Sequence, residues 1–313
     1  MSVKPTRREL MMTTTAAFAL GAVAPAAENA LPKGEIGKLK ISRLMLGGNL
    51  LARYTHSRDL KYVYKLAEHY NTDEKLMETL ALAETHGIDT LAVHPDPNTV
   101  PVLKRHRARG GKIKWILCTE PPADAAPVEG NLEAHRRRVA ELVDHGADAM
   151  YFWGVRADQL VKAGKVDLIA KSIEVMKATK LPVGIGAHSL AAIVACEKAG
   201  IDADFYMKTL HHHDYPTAPK PGQAADDFRE FPGYWCGKPQ ETVEFMSTVK
   251  KPWIAFKVMA AGAIPPQNAF RYAFEKGADF VVAGMFDFEI ADDVKIAKSI
   301  LADLPSRPRP WFG

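Results

Sequence analysis

Two lysines sit in stretches that should be unbroken apolar strand. In "ADFYMKTLHHHDYP", Lys208 interrupts a run of strand-forming residues that ends in His211, His212 and His213, and "PWIAFKVMAAG" carries Lys257 in a similar setting. A strand covered on both faces is nearly continuous Val, Ile and Leu, because an ionised group taken out of water is costly unless it is paired. Alternation groups Tyr206, Lys208 and Leu210 on one face, and Ala255, Lys257 and Met259 on one face of the other strand. A lysine aimed at outer helices would be buried against their apolar sides, so both are expected to point into a polar cavity. Each ammonium there disfavours the other's charge unless a carboxylate such as Glu120 or a bound anion compensates. Three roles follow: oxyanion binding, proton transfer, or a Schiff-base nucleophile of the class I aldolase kind. A pair of buried, salt-bridged lysines is the plainer alternative.

Histidines from several segments together with a carboxylate suit a divalent metal, Zn²⁺, Mn²⁺ or Fe²⁺. The expected shell is Glu120, His188 and one or two of His211, His212 and His213, with His94 as a further ligand or general base. No HExxH or tight histidine pair fixes that set, and three histidines in a row also suit a solvated loop. Trp153, Trp235, Tyr54 and Tyr215 could stack on a sugar ring while Asn49 and the lysines bond its hydroxyls, although aromatic barrel walls need no ligand.

The elements that must position these residues announce themselves by a repeated phrase. "HGIDTLAV" from His86, "HGADAMYFW" from His145, "AGIDADFYM" from Ala199 and "KGADFVVAGM" from Lys276 each follow an amphipathic stretch. Each supplies a glycine suited to a left-handed helix end, then an aspartate, then an apolar strand. Further strands begin at Ser42, Ile113, Leu181 and Pro252, with helical patterns between, such as "DEKLMETLALAETHG" and "QETVEFMSTVK". Strand and helix alternating about eight times predict an α/β fold, a single-domain (β/α)8 TIM barrel. A doubly wound sheet is disfavoured because "GGNLLARY" lacks the GxGxxG spacing. In such a barrel the chemistry belongs at the C-terminal strand ends, here Asn49, His94, Glu120, Trp153, His188, Lys208 with the histidine run, Lys257 and Asp287. Two long connections leave that face, residues 50–73 and 211–238, and are expected to cover it.

The chain has 313 residues, 47% hydrophobic and 25% charged, with a net charge of +4. Basic and acidic residues are interspersed, so nucleic acid is not an expected partner. Three cysteines, Cys118, Cys196 and Cys236, give no disulfide framework or zinc knuckle. Residues 1–26 resemble a twin-arginine export signal: "TRRELM", a short apolar run, then Ala24-Pro25-Ala26 as a cleavage site. That resemblance implies a mature domain over residues 27–313, a periplasmic or otherwise exported location, and no stable membrane anchor after cleavage.

The order "ISRLMLGGN", "IDTLAVH", "ILCTE", "AMYFW", "IGAHS" and "AAGAIPPQNAFRYAFEKGADFVVAGM" is similar to the aldo/keto reductase barrel, over most of the mature chain. That family places a catalytic Tyr five positions after an Asp in strand two. Here Asp89 stands first and His94 stands second. The family lysine of strand three is replaced by Glu120 in "CTE", its strand-four histidine by Trp153, and its Ser-Asn pair for the nicotinamide amide is represented by His188 and Ser189. The resemblance implies the scaffold; the replaced residues imply different chemistry. The expected function is an exported, metal-dependent isomerase, epimerase or lyase acting on a sugar or another small polar carbonyl or hydroxyl compound. The alternatives are a divergent NADP-dependent oxidoreductase, a Schiff-base lyase using Lys208 or Lys257, and a solute-binding barrel without turnover.

Overall fold

The computed structural model describes residues 30–119, 132–223, 228–304 and 306–313. The predicted export signal and Glu120 lie outside them. Leu31–Gly313 forms one compact unit. It opens with a hairpin, β1 (Lys33–Ile36) and β2 (Leu39–Ser42), followed by β3 (Leu44–Gly47). There follow α1 (Tyr62–Tyr70), α2 (Asp73–Thr85), β4 (Thr90–Val93), α3 (Thr99–Ala108), β5 (Lys114–Cys118), α4 (Leu132–His145) and β6 (Ala149–Phe152). The second half comprises α5 (Gly154–Lys162), α6 (Val166–Lys177), β7 (Val183–Ala187), α7 (Leu190–Lys198), β8 (Phe205–Thr209), α8 (Pro239–Thr248), β9 (Trp253–Phe256), α9 (Pro266–Glu275), β10 (Phe280–Ala283) and α10 (Asp287–Ala302).

Strands β3 to β10 close into a parallel barrel in sequence order, β10 pairing with β3. The predicted (β/α)8 architecture is therefore the observed one. Two apolar clusters fill it. Met45, Ile116, Phe205, Met207, Ile254 and Phe280 pack inside the barrel, and the hairpin adds Ile36 and Ile41 at its N-terminal end. Leu46, Leu91, Leu117, Ile185, Tyr206, Leu210 and Ala255 belong to the cluster between strands and helices. Successive strand residues alternate between the two clusters, as the period of two requires.

The repeated aspartates explain how neighbouring strands are held in register. Asp89 accepts from the backbone N–H of Ser42 at 2.8 Å, Asp148 from Trp115 at 2.8 Å, Asp204 from Val183 at 2.7 Å and Asp279 from Trp253 at 2.9 Å. In each case the carboxylate takes an N–H within two residues of the start of the preceding barrel strand. The last three aspartates also donate their own N–H to the carbonyl of that same residue. Each carboxylate meets a cation as well: Asp89 pairs with Lys33 and Lys114, Asp148 with Arg107, Asp204 with Lys177, and Asp279 with Arg307 and Arg309. Burial pulls the Asp89 carboxyl upward, but Lys33, Lys114 and the Ser42 N–H outweigh it and leave it at about 2.

This corrects the family alignment at strand two. Asp89 precedes β4 at the N-terminal rim, the end opposite the predicted chemistry, so it is a strand clasp and has no catalytic counterpart. The hairpin and helices α1, α3 and α5 were not foreseen; α1 lies inside one of the two long connections.

Removing a clasp should cost stability in proportion to its burial. Asp279 is fully buried against two guanidinium groups, so Asp279→Ala should lose roughly 3–5 kcal/mol by leaving those charges unanswered. Asp148, about a third exposed at its side chain, should lose about 1–3 kcal/mol for its orphaned N–H. Denaturant midpoints of the two variants check the order.

Candidate active site

At the C-terminal rim the chain leaves β9 with an abrupt turn. Lys257 follows the last strand residue and adopts φ 55°, and Ala260, Ala261 and Gly262 also take positive φ. The left-handed backbone is costly for residues carrying Cβ. It ends the strand alternation, so Lys257 does not follow Ala255 toward the helices. Its ammonium instead stands 4.5 Å from the ring centroid of Trp235. Among the described residues it makes no hydrogen bond and no ion pair, and burial pushes it down to about 7, against a weak upward pull from Glu230.

Lys208 behaves differently from the expectation. Tyr206 and Leu210, on its own face, pack in the helix-facing cluster, while Phe205 and Met207 pack inside. Lys208 therefore emerges on the outer face of β8, fully buried. Its Nζ turns back to donate to the Thr209 carbonyl at 3.0 Å and to Thr209 Oγ1 at 2.8 Å. The expectation that both lysines point inward fails here because strict alternation, which Lys257 escapes, still governs Lys208.

His188 follows β7 and is held by a residue that the sequence reading passed over. Asp158, in α5, accepts from His188 Nδ1 at 2.9 Å, from the His188 N–H at 3.0 Å and from the Ser189 N–H at 3.0 Å. The imidazole is nearly buried and sits against Phe256 at 5.3 Å and Phe228 at 6.3 Å between ring centroids. Burial lowers its pKa, Asp158 opposes, and the Lys257 and Lys208 charges add to the lowering. A neutral ring then carries its proton on Nδ1 toward Asp158, and its Nε2 lone pair makes no hydrogen bond among the described residues.

His56 completes the cluster and was also missed as a site residue. Burial, then the charges of Lys257, His188 and His94, push it down to about 3. Its backbone is left-handed at φ 50°, and its ring lies 5.9 Å from Trp235. Only its place on a long connection pointed to it, since a histidine there carries no spacing signal. Asp158 offered a fainter one, an acid in the first helical turns after a barrel strand.

Two connections enclose Lys257, as expected of long loops at this face. Arg58 donates to Thr217 Oγ1 at 2.8 Å and to the Ala260 carbonyl at 2.9 Å, and stands over Tyr215 and Trp235. Glu230 accepts from the Tyr64 hydroxyl at 2.5 Å and pairs with Lys61 at 3.3 Å.

The remaining predicted residues take other places. His211 engages both ring nitrogens, Nδ1 with the His212 carbonyl and Nε2 with the Cys236 N–H; His213 Nε2 meets the Cys236 carbonyl. His212 Nδ1 accepts from the Asp214 N–H. The histidine run thus pins the connection over residues 211–238. Among the described residues no group of three His, Cys, Asp or Glu side chains could hold a metal ion. Trp235 is fully buried beneath Lys257 and presents no face to a sugar. His94 lies just past β4, partly buried, and its charge acts on His56. Asn49 lies partly buried just past β3, and Tyr54 is half exposed. Trp153 caps the start of α5 and packs against the barrel interior. No described helix is long and apolar enough to cross a membrane.

No family model matches the chain, and no curated protein matches its sequence. Solved structures share the barrel. A candidate aldo-keto reductase from Pseudomonas aeruginosa aligns with TM-score 0.60 at 17% identity, over 87% of this chain and 97% of that one. Gox0644 in its apo form aligns with TM-score 0.54 at 10% identity, over 90% of this chain and 98% of that one. A variant of Gox0644 in complex with NADPH gives TM-score 0.51 at 11% identity, over 89% and 98%. The chain thus shares the (β/α)8 barrel fold of these structures.

Lys257 with a depressed folded pKa binds fewer protons than the unfolded chain between about 7 and 10.5, so it costs stability that is recovered only as pH rises through that window. Lys257→Met should therefore stabilise the fold, most below pH 7 and not at all above 10.5. Thermal midpoints of parent and variant across pH provide the check.

Proposed function

We propose that the chain is a lysine-dependent carbonyl enzyme, a Schiff-base lyase of small polar aldols or ketols, with Lys257 as nucleophile. The observation that carries this reading is a partly buried amine at the catalytic rim of the barrel with no counter-ion and no hydrogen bond among the described residues. An ammonium near 10.5 cannot attack a carbonyl at neutral pH; one held near 7 is about half unprotonated there.

Lys257 Nζ adds to the carbonyl carbon, and the carbinolamine loses water to give an iminium ion. His188 Nε2 takes the proton of the hydroxyl one carbon beyond the α-carbon. The carbon–carbon bond between them then breaks, releasing an aldehyde, and its electron pair neutralises the iminium as an enamine. A proton from the imidazolium returns to the enamine carbon, and water hydrolyses the iminium to release the second product and the amine. Asp158 fixes the His188 tautomer and stabilises the imidazolium formed on the way. His56, neutral at this pH, adds no charge to oppose the iminium. A sugar-derived aldol fits the polar rim, where Asn49 lies just past β3.

Nicotinamide reduction fits these residues poorly. The family phenol is represented by His94, and the pair His188 and Ser189 is committed to Asp158 through both backbone N–H groups. A metal-dependent route would need ligands beyond the described residues, and export of the protein is an independent proposal resting on its N-terminal sequence.

Borohydride added with a carbonyl substrate should fix a stable adduct on Lys257. The trapping rate should rise with pH through a midpoint of about 7. Lys257→Arg should abolish the adduct, and His188→Ala should permit it while lowering turnover by about 100-fold or more. Turnover should persist in the presence of a chelator. An adduct on another lysine, or activity lost on chelation, would point away from this mechanism.

A further inference from the structure

We propose that the carbonyl substrate is an anion whose carboxylate or phosphate is bound by Arg156; this rests on the Lys257 reading and names the substrate class of that site. Arg156 is the third residue of α5, directly past β6 on the catalytic rim. Its guanidinium carbon stands 6.0 Å from the ring centroid of Trp153, which packs against the barrel interior beneath it. The guanidinium is partly withdrawn from water, enough to lower its pKa. Among the described residues no carboxylate pairs with it and no acceptor bonds it.

Among the described residues, two acids of this rim are committed elsewhere. Asp158, two residues further along α5, receives three N–H donors from His188 and Ser189. Glu230 is held by Tyr64 and Lys61. Arg58 bonds a hydroxyl through one terminal nitrogen and a carbonyl through the other, while its buried Nε has no partner among the described residues. Lys257 and Arg156 are thus cations at one rim with no carboxylate among the described residues to answer either. At the opposite rim each clasp aspartate is matched by at least one basic side chain. A desolvated guanidinium without a partner favours an incoming oxyanion, which its N–H fork can take in two parallel hydrogen bonds. Lys257 would then attack the carbonyl of the compound that Arg156 holds.

The test is borohydride trapping with pyruvate, dihydroxyacetone phosphate and neutral dihydroxyacetone, each rate divided by that compound's rate with free lysine. The parent should favour at least one anionic compound on the order of tenfold or more over the neutral one. Which anion is favoured tells carboxylate from phosphate. Arg156→Ala should remove the preference without slowing the neutral compound, and Arg156→Lys should retain part of it. Equal trapping of all three by the parent, or a preference that survives Arg156→Ala, overturns the proposal while leaving Lys257 as nucleophile. If no compound is trapped, the lysine reading fails instead. The anion site is then judged by calorimetric binding of pyruvate and inorganic phosphate to parent and Arg156→Ala. Binding lost in the variant supports it; equal or absent binding in both overturns it.

Discussion

A charge withdrawn from water must be answered by an opposite charge, satisfied by hydrogen bonds, or given up as a proton. The two ends of this barrel meet that constraint in opposite ways. At the N-terminal rim Asp89, Asp148, Asp204 and Asp279 each take a backbone N–H of the neighbouring strand and each meet lysine or arginine. Those pairings hold adjacent strands in register and leave no reactive group free. At the C-terminal rim Lys257 has no such answer among the described residues, and burial pushes its pKa down to about 7. Charge pairing is concentrated at one end and the unanswered amine lies at the other, in keeping with the division of labour in this fold.

The difference between two lysines on neighbouring strands shows how small a backbone change separates structure from chemistry. Lys208 obeys the alternation of β8 and is sealed on the outer face, where Thr209 supplies its acceptors. Lys257 lies one residue past β9, and its left-handed φ releases it from the strand's pattern. The enclosing connections then supply an indole face, a neutral histidine and a carboxylate already engaged with Tyr64 and Lys61. None of these neutralises the ammonium. Asp158 does hold His188, so the rim contains an oriented base beside an unpaired amine.

Much of the architecture was legible in the sequence because it repeats. The phrase of glycine, aspartate and apolar strand recurs at four of the returns from helix to barrel, before β4, β6, β8 and β10, and periodicity separates strand from helix between those marks. The hairpin β1–β2 escaped because it belongs to no repeat, and α5 because its amphipathic pattern begins immediately after a strand. Lys257 was legible as an anomaly of composition. His56 and Asp158 were not, since their importance comes from loop closure and from a hydrogen bond across two connections. Conversely, the conspicuous run from His211 to His213 attracts attention by residue type, while its ring nitrogens bond the backbone around Cys236 and Asp214. The match of Asp89 to the first position of the family's strand-two phrase misled for a related reason: spacing along the chain does not say which end of a strand a residue occupies.

The charge state of Lys257 is one ionisation equilibrium, and nuclear magnetic resonance can follow it directly. With ¹³C-labelled lysine and Lys257 assigned through its loss in Lys257→Met, the Cε shift should titrate with a midpoint of about 7. A midpoint near the ordinary 10.5 would mean that water or a carboxylate answers the charge after all. The amine would then be a spectator, and the chemistry drawn from it would not hold.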